Sequence, residues 1–170
     1  MDKVNFKKEL AHLYNPKNVE WQLVRVATMN FVMVDGSRDP NTAQDYSDAV
    51  EALYSAAYAV KLLSRRILGR DYVVPPLEGL WSADDPAVFA TRDKDKYHWT
   101  MMIMQPDWIT PARFSRAIES KNQGRSPALS KVRSSRMPKV AHCSYCTLVH
   151  TMTKRRNSSS FMTNTCRNTI

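Results

Sequence analysis

One acidic side chain is set apart by its surroundings. Glu78 sits in PPLEGLW, beside Leu77, Leu80 and Trp81 and just after Pro75 and Pro76. A carboxylate among apolar neighbours is costly unless it is paired, protonated or used. There it can attract a cationic aromatic ligand, or act as a general acid or base once its pKa is raised. The alternative is an exposed carboxylate on an edge strand. Trp81 and Trp99 offer flat faces for stacking a planar ligand and for cation–π contact, or else pack as plain core. Tyr72 and Tyr97 can lend hydroxyls. Met101, Met102 and Met104 can line an adaptable pocket, although methionines on a strand also serve as core. His98 reads as structural or exposed. Before residue 131 we find no Ser-His-Asp arrangement, no glycine-rich phosphate loop and no metal-ligand spacing, so no cofactor or metal is expected.

The remaining reactive types gather at the C-terminal end. His142, Cys143, Cys146, His150 and Cys166 include a CxxC and are a possible zinc set. The Cys146 to His150 spacing is short for such a site and Cys166 is remote, which favours cysteines without a metal. The charge follows the same division. The formal net charge is +9, yet residues 131–170 hold eight Lys or Arg and no Asp or Glu, leaving 17 basic against 16 acidic residues before them. The nearly neutral body gives no reason to expect nucleic acid as a partner. A body without cysteine has no disulfide framework and fits a reducing compartment. The charged N-terminus, MDKVNFKKEL, is no secretory signal, and no apolar run approaches the ~20 residues of a membrane span. A cytoplasmic protein without a membrane partner is expected.

The elements that must position these residues follow from periodicity. Residues 1–20 read as a lead-in that docks on the body. A strand is expected at about 30–35, ended by the turn from Asp35-Gly36 to Asp39-Pro40. Asn41 with Gln44 predicts a capping box. The following helix carries Tyr46, Ala49, Val50, Leu53, Ala57 and Val60 on one face and stops at Gly69. DYVVPPLEGLW is β-rich, but its proline pair restricts it to an edge strand or bulge. YHWTMMIM predicts a strand with Trp99, Met101 and Ile103 on one side and His98, Thr100, Met102 and Met104 on the other. A second helix starts at Thr110-Pro111, uses Phe114, Ala117 and Ile118, and ends by Gly124. The class is α+β, a single βαββ unit with a linking helix. Such a half-covered sheet needs a second unit to pair with.

FVMVDGSRDPN, EALYSAAYAVK, DYVVPPLEGLW and YHWTMMIMQPD, in that order, resemble the GyrI-like small-molecule-binding family over roughly residues 5–133. The resemblance implies a duplicated βαββ fold with a ligand cleft between the repeats. It implies a small-molecule partner, lipophilic and planar or cationic, met by Tyr72, Glu78, Trp81, Tyr97, Trp99 and Met102. Some stand-alone members resemble hydrolases that open the cyclopropane of DNA-alkylating natural products, for which Glu78 would be the catalytic acid or base. A weaker alternative is a protein-interaction role such as gyrase inhibition. Members often carry a second Trp after GLW, where this chain has Ser82. No helix-turn-helix precedes the module, so a complete regulator is not expected.

Family members continue past SKVR into a second repeat with a run close to HIGPYDDE. Here SKVR stands at 130–133 and the pattern is then lost. Back-translation in the frame that takes the third base of one codon and the first two of the next permits FEDAEGRTLQLLHIGPYDDETAKF after Ser134. The Met-Thr pairs at 152–153 and 162–163 must each yield Asp in that frame. Residues 134–170 therefore read as an out-of-frame, disordered tail after a one-base slip near Arg133. Residues 21–133 form the first repeat with its linking helix. Without the second repeat, an exposed apolar sheet face is expected.

Overall fold

Two periods in the sequence meet in the core. Strands of alternating side chains form a sheet, and an alanine-rich helix lies on one of its faces. The computed structural model describes residues 2–14, 23–24, 26–121, 127–137 and 143–144. In chain order the elements are β1 (Lys3–Val4), α1 (Phe6–Glu9), α2 (Ala11–Tyr14), β2 (Leu23–Val24), β3 (Met29–Ser37), α3 (Gln44–Leu63), β4 (Asp71–Tyr72), β5 (Leu77–Ser82), α4 (Ala87–Thr91), β6 (His98–Gln105), α5 (Pro111–Lys121), β7 (Arg133–Met137) and β8 (Cys143–Ser144). The main sheet has the order β5-β6-β3-β7, and each pairing in it is antiparallel. The class is α+β, as expected. Among the described residues two short ladders accompany it, a parallel one between β1 and β4 and an antiparallel one between β2 and β8.

α3 buries Ala49, Ala52, Leu53, Ala56, Ala57 and Val60. Its small residues let the helix lie close on Val32, Val34, Leu77, Trp99, Met101 and Ile103, while Phe114 and Ala117 of α5 close the same core. The expected capping box does not form. Asn41 directs both its backbone N–H and its side-chain amide to Asp39 Oδ1, at 2.9 and 2.7 Å, closing a local turn. The helix begins only at Gln44, after Ala43, which supplies no side-chain cap. At the other end a π-helical turn over Ser64–Leu68 runs into Gly69, whose φ of 63° ends the helix where the sequence places its stop. Pro75 and Pro76 separate β4 from β5, and β5 lies at the sheet edge, where missing N–H groups cost least.

Two expectations about the sheet are corrected. The module was expected to end at Arg133, yet Arg133–Met137 pairs with the second edge of β3, from Met29↔Met137 to Met33↔Arg133. An unpaired edge offers a row of backbone donors and acceptors, and an extended segment satisfies them with little regard to its side chains. Leu129 and Val132 anchor the approach in the core. β8 also falls in the segment expected to be disordered, and the rest of 138–170 lies outside the described residues. The second correction concerns the face turned away from α3 and α5, helix-free but for the short turns α1 and α2. Phe31, Met33, Met102 and Met104 on that face are buried, because Phe6, Leu10, Met29 and Met137 pack over them. The lead-in thus docks where a bare apolar surface was expected. No helix among the described residues is long and apolar enough to cross a membrane.

Candidate functional site

Strand parity decides which side chains can share a site. Neighbouring residues of a strand point to opposite faces. In β5, Leu77 turns toward α3 and Glu78 turns to the helix-free face. Register then carries Glu78 across the sheet: Glu78 lies opposite Met102, Met102 opposite Met33, and Met33 opposite Arg133. The adjacent row is Leu80, Thr100 and Asp35. Glu78 therefore stands at one side of an apolar patch made by Phe31, Met33, Met102 and Met104.

The carboxyl is only 9% exposed, and Tyr14 donates its hydroxyl to Oε1 at 2.8 Å. Burial drives the Glu78 pKa up to about 7, against the opposing pull of the Tyr14 hydrogen bond. Burial likewise raises the Tyr14 phenol well above its ordinary value, aided by the Glu78 charge and hydrogen bond. No cation is hydrogen-bonded to Glu78 among the described contacts. A carboxyl of this kind exchanges its proton near neutrality. Protonated, it can donate to a ligand, and ionised, it can receive a cation.

The next row has a different character. Thr100 donates to Asp35 Oδ1 at 2.6 Å, and Arg133 holds both Asp35 oxygens at 2.9 Å through its Nη2. Partial burial pushes the Asp35 carboxyl up, but the bonds from Thr100 and Arg133 outweigh it and hold the group below its ordinary value. Asp35 is therefore a charged, already partnered group at the rim of the patch.

The six residues expected to meet a ligand do not assemble in one place. Glu78 and Met102 share the helix-free face and are cross-strand partners. Trp99 is 2% exposed on the opposite face, in the core under α3, and its buried Nε1 has no hydrogen-bond partner among the described residues. Tyr46 meets Trp99 edge-on at 5.1 Å and stacks on Trp81 at 6.5 Å. Trp81 is half-buried against that core, and Tyr97 packs on Trp81 and on Phe89. Tyr72 is fully buried, and its hydroxyl is committed to Gln105 Oε1 at 3.0 Å. Trp81, Trp99 and Tyr97 thus form an aromatic cluster behind the sheet, away from Glu78. Tyr14 is the residue the sequence reading missed. The available signal was the spacing of Phe6, Leu10 and Tyr14, four apart along two helical turns.

Among the described residues no group of three or more His, Cys, Asp or Glu could hold a metal. The side chains of His142, Cys143, Cys146, His150 and Cys166 lie outside those residues.

No protein-family model matches the chain, and no curated protein matches it. Solved structures do. An uncharacterized conserved protein from Listeria innocua is 37% identical with a TM-score of 0.71, the match covering 80% of this chain and 67% of that one. A hydrolase from Listeria innocua is 36% identical with a TM-score of 0.69, covering 81% and 67%. Another hydrolase structure from the same organism gives 35% and 0.66, covering 80% and 69%. Identity at this level, over most of this chain and two thirds of each neighbour, goes beyond a shared fold, and the chain belongs to the same protein family as these Listeria innocua proteins.

Proposed function

We propose that the helix-free face of the sheet binds a lipophilic small molecule, planar or cationic, with Glu78 as its polar anchor. The observation that carries this reading is a buried carboxyl with a pKa of about 7, set in a methionine and phenylalanine patch, its hydrogen bond among the described residues coming from the Tyr14 hydroxyl rather than from a cation. Ligand sites commonly combine an apolar lining with few polar groups of this kind. Methionines accommodate ligands of varied shape. This is the chemistry expected of a GyrI-like module, whose second βαββ repeat would form the opposite wall. The test is binding of acridine orange, a planar fluorescent cation, followed by anisotropy. Wild type binds, Glu78→Gln binds at least tenfold more weakly, and Trp99→Phe binds as wild type. Equal binding by wild type and Glu78→Gln would exclude the anchor.

A second reading, hydrolysis of a strained cyclopropane, is favoured by the Tyr14–Glu78 pair and by the two relatives described as hydrolases. Water would bond to a ring carbon, the electron pair of the broken C–C bond would move into a conjugated carbonyl, and Glu78 would relay the proton. Incubation with a cyclopropane-bearing alkylator separates the readings. Ring-opened product that disappears in Glu78→Gln supports catalysis, and binding without turnover supports the binder.

The one-base slip near Arg133 belongs to the same proposal. Ser135 lies opposite Phe31 on the helix-free face. The restored frame permits a phenylalanine at that position, which would extend the apolar patch. About a third of each Listeria neighbour also lies outside the match. Resequencing this codon region, with an intact mass of the protein, decides it: clean reads in the unbroken frame exclude the slip.

A further inference from the structure

The lead-in raises a question of access. One oxygen of Glu78 accepts the Tyr14 hydroxyl at 2.8 Å, and Tyr14 itself is 7% exposed. Phe6 and Leu10 lie on Phe31, Met33, Met102 and Met104, the surface a lipophilic ligand would need. The segment thus presents a phenol to the carboxyl and apolar groups to the methionines. Those are the chemical parts of the ligand proposed above.

Its attachment is of two kinds. Lys3 and Val4 are fixed by backbone, through the pairs Lys3↔Asp71 and Val4↔Tyr72 and a bond from Val73 N–H to the Val4 carbonyl at 2.8 Å. The part that covers the site consists of two helical turns of four residues each, and Asn5 gives the first no side-chain cap. Helices this short have no stability of their own. Beyond their internal turns, the contacts of Phe6–Tyr14 with the body include Phe6 and Leu10 on the patch, Phe6 against Tyr72 and Trp108, and Tyr14 on Glu78, each made by a side chain. A ladder at one end and weak turns over the site make a hinged cover.

We infer that Phe6–Tyr14 is an intramolecular gate, which occupies the ligand face and must lift Tyr14 from Glu78 before a ligand reaches that carboxyl. The inference rests on the binding reading above. Ligand affinity is then reduced by the fraction of molecules in which the cover is open.

Acridine orange binding to wild type, Tyr14→Phe and Leu10→Ser tests it, with amide exchange of residues 6–14 followed in parallel. Loosening the cover is expected to tighten binding, about tenfold for Tyr14→Phe, which loses a hydrogen bond to an ionisable group. Saturating probe is expected to speed exchange across 6–14, and without probe Tyr14→Phe speeds it as well. Weaker or unchanged binding in both variants overturns the gate. So does slower exchange with probe, which would make the segment a wall that closes over its ligand. Binding that needs Glu78 but ignores Tyr14 defeats the gate and leaves the binding face standing. If no variant binds the probe, the binding reading fails, and ligand-free exchange unaltered by Tyr14→Phe overturns the gate as well.

Discussion

Replacing Glu78 by Gln removes a titration and leaves the shape nearly unchanged. The free carboxyl titrates at 4.5, and in the fold burial raises it to about 7. Between those values the folded protein holds a proton that the unfolded chain has released. Stability from this group is therefore fully present below about pH 4.5 and is lost as pH rises toward 7. At about 1.4 kcal/mol per pH unit, the interval amounts to roughly 3 kcal/mol. Asp35 and Asp71 titrate with the opposite sign, because their partners hold both below the ordinary value, so they lose stability as pH falls. They are common to both proteins and cancel in the difference. Urea unfolding of wild type and Glu78→Gln, from about pH 4 to about pH 8, gives that difference directly. The wild-type advantage is expected to shrink by roughly 3 kcal/mol as pH rises. Parallel pH profiles, or an advantage that grows with pH, would refute the buried, proton-holding carboxyl.

Three further substitutions probe the surrounding architecture. A methyl group at Gly36 would come within 2.1 Å of the buried Trp99 ring, so Gly36→Ala should cost about 1–3 kcal/mol by overpacking, read as a lower melting temperature. Tyr72→Phe leaves Gln105 Oε1 without its phenol partner in a buried site and should cost about 1–3 kcal/mol in chemical unfolding. Arg133→Ala removes an exposed ion pair with Asp35, whose side chains are 46% and 56% accessible, and should change stability by less than about 1 kcal/mol.

The fold was legible wherever side chains report their own burial. The alternation of YHWTMMIM assigned Trp99, Met101 and Ile103 to one face and Met102 and Met104 to the other, and the structure keeps that division. Gly69 marked the end of the long helical segment for a conformational reason the sequence carries on its surface. The candidate site was less legible, although part of it was within reach. Glu78 and Trp81 are three apart on one strand, and Trp99 and Met102 three apart on another, so neither pair can share a face. β7 was hidden because edge pairing is a backbone property to which Ser134, Ser135 and Arg136 give no apolar signature. The spacing of Phe6, Leu10 and Tyr14 signalled a shared face, but the partnership of Tyr14 with Glu78 was hidden because it spans 64 residues. Asn41 had the type of a cap, but Asp39 competed for its donors.

The most direct measurement of the central claim uses the methionines as reporters. Met33, Met102 and Met104 lie on the face with Glu78, while Met101 sits behind the sheet with Trp99. In a protein labelled at its methionine methyl groups, titration with acridine orange should move the Met33, Met102 and Met104 resonances and leave Met101 in place. Shifts confined to Met101, with the Glu78 face silent, would contradict the account and put the ligand among the aromatics under α3.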